Sequence, residues 1–166
     1  MDQAKVNQTI EAALDRLGIV TRIDTDRYQN IIELFEDAFE RHCDEVACSS
    51  VGHQLTYGEL DQLSSHVAGW LQSDSGLTAG DRVAIQMPNL IQYLVVVLGV
   101  LRAGLVVVNT NPLYTARELE HQFNDAGVKL LIVQANVAQT AATVLPRTGV
   151  KQVVVTELAD LHPQPK

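Results

Sequence analysis

The chain has 166 residues, 46% of them hydrophobic and 19% charged, with a formal net charge of −8. That is the length of one ordinary domain with enough apolar surface for a true core, so a disordered acidic tail is excluded. Its 12 Lys and Arg are scattered without a basic stripe or interleaved aromatics, which excludes a nucleic-acid partner on electrostatic grounds.

In chain order, residues 1–27 read as an N-terminal arm suited to docking, with one weak helical stripe of Ile10, Ala13, Leu14 and Leu17 that Gly18 ends. The arm lacks a basic segment followed by an apolar core. The longest apolar run, Leu94 to Leu101 around Gly99, is far too short to span a bilayer, so a cytoplasmic protein is expected. Asn30 with Glu33 opens a second helix, whose Ile31, Leu34, Phe35, Ala38, Phe39 and His42 are expected on one face. Cys43 and Cys48 lack CxxC spacing and are expected as reduced thiols. Val46–Ser50 and Gln54–Thr56 bracket Gly52-His53 as a short hairpin. Thr56 and Glu59 form a capping box for a helix that turns Leu60, Leu63, Val67, Trp70 and Leu71 to the core and ends near Gly76.

From Gly80 onward, Arg82–Gln86, Leu105–Val108, Leu130–Val133 and Val153–Val155 are strand-like runs separated by helix signals. Pro88-Asn89 is expected to cap a buried helix through Tyr93–Leu101 that Gly104 stops. Asn111-Pro112 closes the next strand. Thr115 and Glu118 then form another capping box, Leu113 or Tyr114 staples onto Leu119 or Phe123, and Gly127 stops the helix. The fold class is therefore α/β: a mainly parallel sheet of repeated β-α units flanked by helices, preceded by helices and a short β-hairpin. Residues 157–166, with Pro163 and Pro165, read as a linker-like tail.

Ligands of open α/β sheets sit beyond the carboxyl ends of the strands, here Met87-Pro88-Asn89, Asn109-Thr110-Asn111, Gln134-Ala135-Asn136 and Thr156-Glu157. Turn and cap roles for these Asn and Thr residues outweigh ligand contact. Glu118 and His121 have the spacing of a carboxylate-histidine metal pair, but a four-ligand site needs a second pair and none is found, so a solvated helix face is favoured. The chain has no G-x-x-x-x-G-K-[ST] loop, no G-x-G-x-x-G turn and no G-x-S-x-G elbow. No catalytic, cofactor-binding or metal residue is assigned. The missing phosphate loop also weighs against a small flavodoxin-like binding domain.

Leu55-Thr56-Tyr57-Gly58-Glu59-Leu60, the run from Gly80 to Asn89 and the run from Arg102 to Gly127 resemble, in order and spacing, the N-terminal part of adenylate-forming enzymes. They are most similar to bacterial long-chain fatty-acid–CoA ligases. The likeness spans about Tyr28 to Thr156, and Asn109 to Glu118 is its most specific part. It implies that residues 28–156 are the first part of the large domain of a longer enzyme. Such an enzyme activates a fatty acid with ATP and magnesium to an acyl-adenylate and transfers the acyl group to coenzyme A, with peripheral membrane contact an option for the whole protein. The family's phosphate loop and its magnesium, ribose and lysine groups match no position up to Lys166. This chain is thus expected to be scaffold, inactive alone, binding none of those cofactors, and prone to self-associate as a homo-oligomer through an exposed apolar sheet edge or helix face. A free-standing, non-catalytic interaction or dimerisation module of the same fold is the alternative.

Overall fold

The computed structural model describes residues 2–19 and 24–162; Pro163 and Pro165 of the tail lie outside them. The first helix, α1 (Gln3–Arg16), starts on an Asp2 side-chain cap, ends before Gly18 at φ +65° and buries none of its residues.

In α2 (Ile31–Arg41), Asn30 accepts from the Ile32 and Glu33 amides, while Glu33 reaches the Gln29 amide rather than that of Asn30. The buried face differs from the expected one. Ile32, Phe35 and Phe39 face the interior, whereas Ile31 and Leu34 are exposed. Aromatic packing sets this rotation: Phe39 meets Phe35 at 6.0 Å and Tyr57 edge-on at 6.3 Å.

The hairpin pairs β1 (Val46–Ser50) with β2 (His53–Thr56) in antiparallel register. Its turn is Val51-Gly52, not Gly52-His53, with φ of 49° and 78°. Two central residues at positive φ match the right-handed twist of the strands, and even a valine is drawn into that region.

The box of Thr56 and Glu59 opens α3 (Tyr57–Ser73). Leu60, Ser64, Ala68 and Leu71 are buried, while Trp70, expected in the core, lies at the rim and is 36% exposed. At Gly99 of α4 (Ile91–Arg102) this face of α3 approaches closely, through Val67 and the backbone of Ser64. No side chain caps α4. Its cap position is Leu90, whose amide bonds Pro88 O at 2.8 Å, so Pro88-Asn89 forms a tight turn instead.

The remaining strands are β3 (Arg82–Gln86), β4 (Val106–Asn109), β5 (Val128–Gln134) and β6 (Gln152–Thr156), in the order β4-β3-β5-β6 with every pairing parallel. The second begins one residue late because the Leu105 amide closes the end of α4 on Val100 O, with Gly104 at φ +75°. Between β4 and β5 runs α5 (Ala116–Ala126), with the Thr115–Glu118 box complete and Gly127 left-handed at φ 63°. The staple is Tyr114, packed near Leu119 and Phe123, whereas Leu113 is 85% exposed. A helix the strand-end reading did not delimit, α6 (Ala135–Ala142), follows β5 without a loop.

Alternation along β3 divides the core. Val83 and Ile85 join Leu71, Val96, Val100, Leu130 and Ile132 on one face, and Ala84 joins Leu119, Phe123, Leu131, Val133 and Ala141 on the other. A third cluster, including Phe39, Leu55, Leu60, Ile91 and Leu98, covers the outside of α4, which explains why that helix is apolar all round.

A Cβ added at Gly99 would lie 2.5 Å from Val67 Cγ1 and 2.7 Å from its Cβ. Helix propensity favours alanine by about 1 kcal/mol, but overpacking typically costs about 1–3 kcal/mol. Gly99→Ala is therefore expected to lower stability in urea unfolding.

Beneath the sheet's amino-terminal end, Asp81 accepts from Lys129 Nζ at 2.6 Å and from the Thr78 amide at 2.9 Å. The lysine contact above all holds its pKa down to about 2. A carboxyl depressed in the folded state gives stability that is present above the ordinary carboxylate range and lost as pH falls through the folded value. Asp81→Asn should therefore flatten the fall of the urea midpoint between the ordinary carboxylate range and pH about 2.

Candidate functional site at the carboxyl edge of the sheet

Adjacent β3 and β5 send their chains to opposite faces, to α4 and to α6. That divergence opens a crevice at their carboxyl ends, the switch point where open α/β sheets bind ligands. Two glutamines stand there. Gln134 spends its side-chain oxygen on the Asn136 amide at 3.0 Å, capping α6. Gln86 is fully buried, and neither Nε2 nor Oε1 has a hydrogen-bond partner.

Beside the crevice lies a shallow, open cleft of about 320 Å³ lined by Ile85, Met87, Asn89, Tyr93, Asn109, Thr110, Asn111 and Tyr114. Its polar groups are largely committed. The Thr110 amide extends the ladder to Ile85 O at 3.0 Å. Tyr93 Oη donates to Asn109 Oδ1 at 2.8 Å, and Gln122 Nε2 to Asn109 O at 3.0 Å. Asn111 Oδ1 accepts from the Leu113 amide at 2.9 Å, an Asx turn leading into α5.

The structure thus gathers Met87, Asn89 and Asn109–Asn111 into one cleft. The Gln134–Asn136 segment forms the start of α6 instead of a loop. Thr156-Glu157 lies at the far edge, where Thr156 Oγ1 and the Glu157 amide both donate to Asp160. Glu118 accepts from the Thr115 hydroxyl and amide at 2.7 and 2.8 Å, and these bonds lower its pKa. It serves the cap. Among the described residues there is no group of three or more His, Cys, Asp or Glu placed to hold a metal.

Three features escaped the sequence reading. Gln86 sits in a Val-Ala-Ile run, where a lone polar residue was the available signal. Gln92, in the apolar helix, donates to Glu157 O at 2.8 Å and so ties down the segment after β6. His53 and His162, far apart in sequence, meet at 5.3 Å; no local pattern announces that contact.

An open groove of about 780 Å³ between α2 and α3 includes Arg102. Its guanidinium is committed to Asp61 and Ser65 and lies over the Phe39 ring at 5.1 Å. With its charge already paired, the groove has less to offer an anionic ligand than its size suggests.

Residues 35–166 match the sequence profile of the family described as AMP-binding enzyme. The long-chain-fatty-acid–CoA ligase of Salmonella typhimurium is 46% identical over 142 residues, 86% of this chain and 25% of that protein. The ligase of the same name from Bacillus subtilis is 38% identical over 133 residues, 80% of this chain and 24% of that protein. The chain spans about a quarter of the length of these relatives. In three dimensions, a long-chain-fatty-acid–CoA ligase from Archaeoglobus fulgidus superposes with a TM-score of 0.70 and 26% identity, over 75% of this chain and 27% of that one. An anthranilate CoA ligase shares the fold alone, with a TM-score of 0.75 at 18% identity over 80% of this chain and 26% of that one.

A buried amide without partners costs about 1–3 kcal/mol, so Gln86→Met, of similar shape and apolar, should stabilise the chain by an amount of that order. Chemical denaturation measures it, and a loss of stability would mean that Gln86 has a partner.

Proposed function

The chain belongs to the AMP-binding enzyme family, and from that premise we propose that it is the first part of the large domain of an AMP-forming long-chain fatty-acid–CoA ligase. The whole enzyme activates a fatty acid with ATP and magnesium to an acyl-adenylate and passes the acyl group to coenzyme A. The observation that carries this reading is the 46% identity over 142 residues to a ligase of that name. No helix among the described residues is long and apolar enough to cross a membrane.

The residues present do not fit ATP or magnesium by themselves. The cleft at the sheet edge is lined by amides, hydroxyls and apolar groups without a Lys, Arg, Asp or Glu. Adenylation needs cation and metal charge placed on the phosphates. The contribution of this chain is therefore geometric. Its sheet fixes one wall, and Tyr93, Gln122 and the Thr115–Glu118 box hold the Asn109–Tyr114 turn against it.

Two measurements test the proposal. The isolated chain should show only background fatty-acid-dependent exchange of pyrophosphate into ATP; exchange well above background would overturn the scaffold role. A chimera in which this chain replaces the matching 142 residues of the Salmonella ligase should still form fatty acyl-CoA. A chimera that folds but makes none would overturn the assignment to this class of ligase.

A further inference from the structure

His53 lies on β2 and His162 on the segment that leaves β6, and their half-buried rings meet with centres 5.3 Å apart and planes tilted by 49°. His42 is bonded to Glu45, but neither of these two rings has a hydrogen-bond partner among the described residues, so each keeps a nitrogen lone pair unspent. Both are held from behind. His53, opposite Ser50 in the hairpin register, shares a face of β2 with the buried Leu55. The segment carrying His162 is fixed by Gln92, whose Nε2 donates to Glu157 O at 2.8 Å and to Leu158 O at 3.2 Å, and by the His162 amide, which donates to Ala159 O at 2.9 Å. Leu161 packs in the same apolar cluster as Leu55 and Ile91, and this packing brings the two imidazoles together.

We propose that His53 and His162 form a two-imidazole site for a divalent transition-metal ion such as Zn²⁺, which staples the segment after β6 to the hairpin. Two imidazoles that share a tetrahedral ion, with metal–nitrogen bonds of about 2.0–2.1 Å, have ring centres about 5 Å apart. The separation here is 5.3 Å. Neutral imidazole nitrogen suits Zn²⁺, Cu²⁺ and Ni²⁺, whereas Mg²⁺ and Ca²⁺ require oxygen ligands. No third His, Cys, Asp or Glu joins the pair among the described residues, so water completes the shell. The site is accordingly weaker than a four-ligand structural centre, and its ion exchanges with solvent. The formal net charge of −8 favours the arriving cation. Because the pair is assembled only in the folded chain, bound metal stabilises the fold by mass action.

Calorimetric titration of the full chain, carrying no added histidine tag, with zinc chloride tests the proposal. Saturable uptake of one ion per chain in the micromolar range is expected, and magnesium chloride should give none. H53N and H162N should each weaken uptake about tenfold or more, since each removes one of two protein ligands. H121N, on the outer face of α5, and the thiol-free variant C43S/C48S should bind as the parent chain does. Circular dichroism confirms that the variants are folded. A readout on the parent chain itself needs no variant: in nitrogen-15 NMR, zinc should shift the imidazole signals of His53 and His162 together. Absence of saturable uptake overturns the proposal, as does uptake that survives H53N or H162N. Uptake that H121N or C43S/C48S abolishes, or imidazole shifts confined to other histidines, overturns it as well. None of these outcomes bears on the chimera that tests the ligase assignment.

Discussion

The organisation of this chain follows from the double burial of β3. That strand is hydrogen-bonded to β4 on one side and β5 on the other, and its alternate residues feed apolar layers on both faces. A parallel strand buried in this way must be reached and left by crossovers, and covering both faces requires those crossovers to diverge. Hence α4 goes to one face and α5 and α6 to the other. The same divergence opens the crevice where Gln86 and Gln134 end their strands. The position of the candidate site is thus a by-product of how the core is covered.

Much of this was legible locally. Both Ser/Thr-x-x-Glu boxes are formed as read, since the cap hydroxyl and the glutamate satisfy each other's neighbouring amides without help from tertiary contacts. The strands were legible for a similar reason: short β-branched runs between glycine stops leave no room for a helix of useful length. The errors fall where distant residues decide. Which face of α2 is buried depends on Tyr57, and the position of Trp70 depends on the close approach of Val67 to Gly99. The hairpin turn moved by one residue because strand twist overrode the reluctance of Val51 to take a positive φ.

The site was legible as a location rather than as chemistry. Asn109, Thr110 and Asn111 are at the strand end, as the pattern requires, yet each already has a structural partner. Capping and ligand binding draw on the same residue types, so a sequence alone does not separate them. Gln86 is the exception: a polar group inside an apolar strand, with no structural task among the described residues.

Two tethers fix the turn at the end of β4. The hydroxyl of Tyr93, on α4, holds the Asn109 side chain, while Gln122, on α5, holds the Asn109 carbonyl from the other face. A shift of the turn must therefore break a bond to one helix or the other, and each helix is anchored by its own buried cluster. Reactions that join two bound molecules gain most of their rate from restricted relative motion, and small displacements forfeit much of it. Under the proposed function, a wall with no charged side chain, clamped from both faces of the sheet, would suit that requirement by supplying rigidity and leaving charge stabilisation to other groups.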